Sequence, residues 1–181
     1  MKMNNLLASD HSELDEMLRE LFSALETGDV EESFKKLDVL WARLAMHIRA
    51  EHLHLFPAIL RIFDLDGETI KMKSLTPSLE TAQNAIKQLR DDHDFFMHEL
   101  AFAIKQMREM RKKDIQNISK QLSEVHQKVI AVSRRLEAHN ELEESEVYRW
   151  ADTLLNSAER AALNEKMQKE LDNLPPRFDN L

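Results

Sequence analysis

The chain has 181 residues, 25 basic and 33 acidic, a net charge of −8, no cysteine and only two glycines. About 13 glycines would match average usage. The absence of cysteine excludes disulfides, thiolate zinc sites, iron–sulfur clusters and thiol nucleophiles, and two glycines cannot build a phosphate-cradling loop or a dinucleotide fingerprint.

Sheets need many turns, and turns lean on Gly, Pro, Asn and Asp, so two glycines and four prolines imply long helices. Apolar residues make up 43% and charged residues 32% of the chain, enough for a core under a solvated surface. The sequence has no apolar run long enough for a membrane span, and its first eight residues are too short for a signal peptide's apolar region. A cytoplasmic location with no membrane partner is expected. The acidic balance speaks against nucleic acid, which requires a basic footprint.

In chain order, Leu14, Leu18, Leu21 and Leu25 recur at three and four residues and predict a helix over 5–26, ended by Gly28. Leu37, Leu40, Leu44 and Ile48 predict a second over 30–63, ended before Gly67, with a kink at Pro57. Thr76-Pro77 reads as an N-cap and first helical position for a third helix over 77–111. That helix carries Ile86, Leu89, Phe96, Leu100, Ile104 and Met107. Lys113-Asp114 separates it from a fourth over 115–155, with Ile115, Ile118, Leu122, Val125, Val129, Val132 and Leu136 in its stripe. A shorter helix over 157–173 follows Asn156-Ser157 and ends before Pro175-Pro176. Short connections make successive helices antiparallel. The expected fold is all-α: an up-down-up-down four-helix bundle over 1–155, with an additional short C-terminal helix and tail over 156–181.

Four of the eight histidines, His11, His47, His93 and His139, lie on the apolar stripes, one per long helix. Residues at one height in an antiparallel hairpin are equidistant from its turn. The midpoint of 11 and 47 falls at 29, beside Gly28; that of 47 and 93 at 70, between Gly67 and Pro77; that of 93 and 139 at 116, close to Lys113-Asp114. All four histidines therefore belong to one layer.

Two of them have a glutamate at i+4, Glu51 after His47 and Glu143 after His139, about 40° around the helix and about 6 Å along it. Histidine and carboxylate then face one site. Carboxylates from two helices can bridge two cations, and imidazoles complement them for iron or manganese. A single histidine on such a stripe is ordinarily a packed core residue. Six polar groups in one layer have no packing rationale, because a buried carboxylate without a partner is costly.

Glu144, at i+5 from His139, requires a π-type distortion to face inward and stays an alternative to Glu143. Asp10 and Asp92, each just before a candidate ligand, suit hydrogen bonds to ligand histidines, although Asp10 also suits a helix cap. His54 shares the face of His47 but sits about 10 Å further along. His52, His98 and His126 fall at boundary or surface positions. Met97 reads as core filler, and Tyr148, Trp41 and Trp150 as packing residues. A loose internal repeat is present: Asp10-His11 and Asp92-His93 each open a half that continues with a His-x-x-x-Glu segment.

His11, His47-x-x-x-Glu51 with Phe56-Pro57 following, Asp92-His93, and His139-x-x-x-Glu143-Glu144 with Tyr148 following resemble the hemerythrin-like, His-His-Glu cation-binding family over about residues 5–155. The resemblance implies a four-helix bundle around a non-haem di-iron centre. Two carboxylates bridge the irons, and an oxo bridge joins them when oxidised. His11, His47, His93 and His139 would be terminal ligands, Glu51 one bridging carboxylate, and Glu143 or Glu144 the other. Oxygen-carrying members have a His-x-x-x-His pair on the third helix, where this chain has His93 and Met97. His54, His98 or water would take the place of the missing histidine, and an open position there favours reactivity or sensing over stable oxygen carriage. Three functions are weighed: binding or sensing of dioxygen or a related small oxidant; a di-iron oxidoreductase handling peroxide or nitric oxide; and a metal-free helical interaction module.

Overall fold

The computed structural model describes residues 3–65, 77–112 and 118–178, and every regular element among them is helical. Helix α1 spans Met3–Thr27. Helix α2, Val30–Ala50, passes through a π-helical turn at Glu51–Leu55 into α3, Phe56–Leu65. Helix α4 spans Leu79–Lys112. Helix α5, Ile118–Leu142, passes through a second π-helical turn at Glu143–Val147 into α6, Tyr148–Leu154. Helix α7 spans Ser157–Leu171, and a 3₁₀ turn follows at Pro176–Phe178. None of the helices among the described residues is long and apolar enough to cross a membrane.

Helix ends follow from local chemistry. Gly28 adopts φ +77°, the left-handed conformation that ends α1 without a Cβ clash. Asp29 then caps α2, its carboxylate accepting from the Glu32 N–H at 3.0 Å. Helix α4 starts two residues later than the sequence suggests. Its cap is Ser78, whose hydroxyl accepts from the Thr81 N–H at 3.1 Å, so Pro77 precedes the cap. The turn signals at Gly67, Thr76 and Lys113-Asp114 lie outside the described residues. Asn156 caps α7 in a reciprocal arrangement with Glu159.

The periodic apolar residues face inward as expected, except Ile118 at the start of α5, which is exposed, and Ile115, which lies outside the described residues. Helix α1 packs along α2, α2 along α4, and α4 along α5; α1 also meets α5, while α7 lies across α2. Two apolar clusters result. One gathers Leu14, Leu21, Leu37, Leu40, Phe96, Leu100 and Val129; the other gathers Leu7, Leu55, Phe56, Ile59, Leu89, Val147, Trp150 and Met167. Each fully buried leucine contributes about 1.5–3 kcal/mol. Between the clusters along every long helix sits a buried polar layer: Asp10 and His11, His47 and Glu51, Asp92 and His93, His139 and Glu143.

The π-helical turns bear on that layer. In an α-helix, residues five apart point about 140° away from each other. A π turn closes an i→i+5 hydrogen bond and brings such residues onto one side. Phe56 N–H thus bonds to Glu51 C=O, and Tyr148 N–H to Glu143 C=O. The sequence assigns a kink to Pro57. The irregularity lies just before it instead, and it recurs at Glu143–Val147, where Tyr148 is followed by Arg149. Proline is therefore not required for such a turn.

Candidate metal centre

Four helical rods each deliver one imidazole to the polar layer. His11 and His47 bring their Nε2 atoms to 3.2 Å, and His93 and His139 bring theirs to 3.0 Å. The carboxylates of Glu51 and Glu143, both fully buried, lie between the two pairs. Glu51 places Oε1 at 3.5 Å from His47 Nε2 and Oε2 at 3.3 Å from His93 Nε2. Glu143 places Oε2 at 3.2 Å from His11 Nε2 and Oε1 at 3.2 Å from His139 Nε2. Each carboxylate therefore offers one oxygen to each histidine pair.

The far nitrogens of the rings are engaged outside the layer. His47 Nδ1–H donates to Asp10 Oδ2 at 2.8 Å, and His139 Nδ1–H donates to Asp92 Oδ2 at 3.2 Å. His11 Nδ1–H donates to Glu144 Oε1 at 2.8 Å, and His93 Nδ1 meets His52 Nε2 at 2.9 Å. A carboxylate can only accept, so the proton on these three rings sits on Nδ1, and Nε2 turns a lone pair inward. Arg43 holds Asp10 and also donates to Leu171 C=O at 2.9 Å; Arg135 Nε holds Asp92 at 2.6 Å.

This donor set fits cations. The inward lone pairs of His11 and His47, 3.2 Å apart, repel unless a positive charge lies between them. Neighbouring ligands on an octahedral ion, about 2.1 Å from it, stand about 3 Å apart, the range found here. Two groups meet the requirement: Glu51, His93, His139 and Glu143, and His11, His47 and Glu143. Glu51 Oε2 and Glu143 Oε1 have no hydrogen-bond partner although buried, a costly state that a cation relieves.

The electrostatics show the same demand for positive charge. Burial opposes a charged imidazole at His47, but the Glu51 charge and the Asp10 hydrogen bond overcome it and hold His47 well above the ordinary imidazole range. At His139, burial is likewise outweighed by Glu143, Glu51 and Asp92. Burial would raise Glu51, yet His47 and His93 draw it well below the usual carboxylate range. Burial and the Glu51 charge push Glu143 up, and His139 and His11 bring it down on balance.

Tyr148 enters this layer, although its sequence context suggests only packing. Its O–H lies 2.8 Å from both Glu51 Oε1 and Glu143 Oε2 and 3.1 Å from His11 Nε2. Burial, followed by the two carboxylate charges, pushes the phenol well above its ordinary range. One hydroxyl proton cannot satisfy three acceptors. The π turn at Glu143–Val147 brings this ring to the inner side, and single-sequence periodicity does not reveal such a turn.

The other sequence-predicted residues fall into place around this layer. Glu143 faces inward, and Glu144, with a side chain 40% exposed, reaches the outer nitrogen of His11. Asp10 lies inside α1 and is no helix cap; like Asp92, it serves the histidine of a neighbouring rod, not its own. His52, half-buried, contacts His93, a partnership the sequence reading does not anticipate; burial, then His93 and Arg90, lowers its basicity. His54 lies 3.5 Å from Glu170, and His98 is 78% exposed beside Glu99, so neither reaches the layer. Met97 packs against an apolar cluster and His126 against Phe22. A polar cleft of about 700 Å³, lined in part by Asp15, Glu137, Glu141 and Glu144, leads from the surface to His11.

Comparison of the chain with protein-family models, with curated proteins and with solved structures returned no match.

Proposed function

We propose that the chain is a hemerythrin-like di-iron protein that binds or senses dioxygen or a related small oxidant, on an up-down-up-down four-helix bundle with a C-terminal helix. One observation carries the reading: two histidine pairs share two buried carboxylates, each of which offers one oxygen to each pair. His11 and His47 would hold one iron and His93 and His139 the other, with Glu51 and Glu143 bridging them. Such a pair supplies reversible electron transfer to a small oxidant.

The chain's own residues do the rest. Asp10 and Asp92 fix the tautomers of His47 and His139, keeping Nε2 available as a donor. The two apolar clusters cover the layer from above and below and keep bulk water from it. Only four histidines converge on the layer, which leaves fewer protein ligands than in oxygen-carrying members. Together with the Tyr148 O–H donor inside the layer, this favours the second reading, a di-iron oxidoreductase acting on peroxide or nitric oxide.

Metal analysis of protein loaded anaerobically with iron(II), with optical spectra before and after oxidation, tests the proposal. Two irons per chain are expected, with near-ultraviolet charge-transfer bands on oxidation. A chain that binds no iron overturns it and returns the metal-free interaction module. Peroxide consumption that depends on His47 and Glu51 separates the oxidoreductase from the carrier or sensor.

A further inference from the structure

The two halves of the chain repeat more closely than their histidines alone suggest. Arg43, His47, Glu51, His52 and Phe56 are followed 92 residues later by Arg135, His139, Glu143, Glu144 and Tyr148. The contacts repeat with them and cross between the halves reciprocally. His11 meets Glu144 of the second half as His93 meets His52 of the first. His11 reaches Glu143 as His93 reaches Glu51. The Tyr148 ring lies 5.7 Å from the His11 ring, and the Phe56 ring lies 6.0 Å from the His93 ring.

The repeat is broken at two positions, and both breaks act in one direction. Beside His11 and His47 stand the Tyr148 phenol and the Glu144 carboxylate. Beside His93 and His139 stand the Phe56 ring and the His52 imidazole, with the Arg90 guanidinium 5.8 Å from Phe56. The carboxylate oxygens record the difference. Glu51 Oε1 and Glu143 Oε2, on the Tyr148 side, have the phenol as partner; Glu51 Oε2 and Glu143 Oε1, on the Phe56 side, have none.

Resting on the two-ion reading above, we propose that the two positions are chemically distinct, with the Tyr148 phenol oxygen a direct ligand of the ion held by His11 and His47, while Phe56 leaves the His93/His139 ion without such a ligand. The phenol oxygen stands 2.8–3.1 Å from three other donors of the first position, the spacing of ligands on a common ion. Coordination breaks the phenol O–H bond and forms an oxygen–metal bond, and the proton is released to solvent through the cleft beside Glu144. A phenolate is a hard, anionic donor, so this position prefers the more highly charged ion. The Phe56 side, with no anionic oxygen in place of the phenol and the Arg90 guanidinium nearby, prefers the less charged one.

Tyr148 is the only tyrosine in the chain, which makes the test specific. Full-length protein is loaded with iron(II) anaerobically and oxidised in air, and iron content, visible absorption and Mössbauer spectra are recorded. Wild-type protein is expected to hold two irons in two different environments and to show a visible phenolate-to-iron(III) band. Tyr148→Phe keeps iron but loses the band. Phe56→Tyr doubles the band and draws the two environments together, and the double exchange Tyr148→Phe with Phe56→Tyr restores it at the other position. A two-iron wild type with no visible band, or a band that persists in Tyr148→Phe, overturns the proposal while leaving the di-iron reading intact. A wild type that takes up no iron overturns both.

Discussion

The two halves of the polar layer share one plan and differ in how deeply they are anchored. Arg43, 12% exposed, ties Asp10 and the C-terminal end of α7 together through Leu171 C=O. Arg135, 42% exposed, ties Asp92 from the rim and lies over the Phe95 ring. A charge pair removed from water is worth far more when broken than one still solvated. The repeat thus sets which atoms meet, and solvent exposure sets how much each meeting contributes. The first half is braced by the C-terminal helix, the second by solvent-facing contacts, so equivalent substitutions should have unequal effects.

The largest effect should fall where the halves are joined. Glu51→Ala and Glu143→Ala each remove a carboxylate that faces both histidine pairs, so either variant should lose both irons, whereas His139→Ala should lose one. Metal analysis distinguishes the two outcomes, and loss of a single iron from Glu51→Ala would show that the carboxylates do not bridge.

Next come the tautomer-fixing aspartates. Asp10→Ala and Asp92→Ala should each weaken iron binding about 10- to 100-fold, measured by competition with a chelator. Asp10→Ala should also lower the melting temperature more, because it leaves Arg43 mostly buried without its main partner. Substituting the arginines isolates that difference. Arg43→Met should cost about 3 kcal/mol by chemical denaturation, and Arg135→Met should cost about 1 kcal/mol or less. Equal losses would remove the contrast between the halves.

In metal-free protein, protons take the place of cations, and the halves should titrate unequally. His47 is raised well above its ordinary range and His139 is raised too. A raised folded value stabilises fully below the unfolded value of about 6.5, and the contribution is lost as pH rises through the folded value. Chelator-treated protein should therefore melt at lower temperature as pH rises above about 6.5. Loss at the low end comes from Glu51 and Glu143, whose lowered values remove stability as pH falls through them. Iron-loaded protein should show the opposite trend above neutrality, since metal competes with the histidine protons. The smallest effect belongs to Pro57→Ala, which should change stability by less than about 1 kcal/mol and leave iron content intact, because the second half makes the same π turn with Arg149 in that place.

Much of this molecule is written in its periodicities. Leucines at three and four residues dictate helices because only that spacing lines one face, and Gly28, Asp29 and Asn156 mark their ends because each supplies the conformation or acceptor a helix end requires. Distances from the turns then placed His11, His47, His93 and His139 in one layer, and i+4 spacing put Glu51 and Glu143 beside them. Such facts are local and additive along one helix. Tyr148, His52, Arg43 and Arg135 were not legible in this way. Their roles depend on a π turn that rotates the chain by one residue, on aspartates serving a neighbouring rod, and on an exposure set by α7. Those are consequences of several helices meeting, and only the packed tertiary structure decides them.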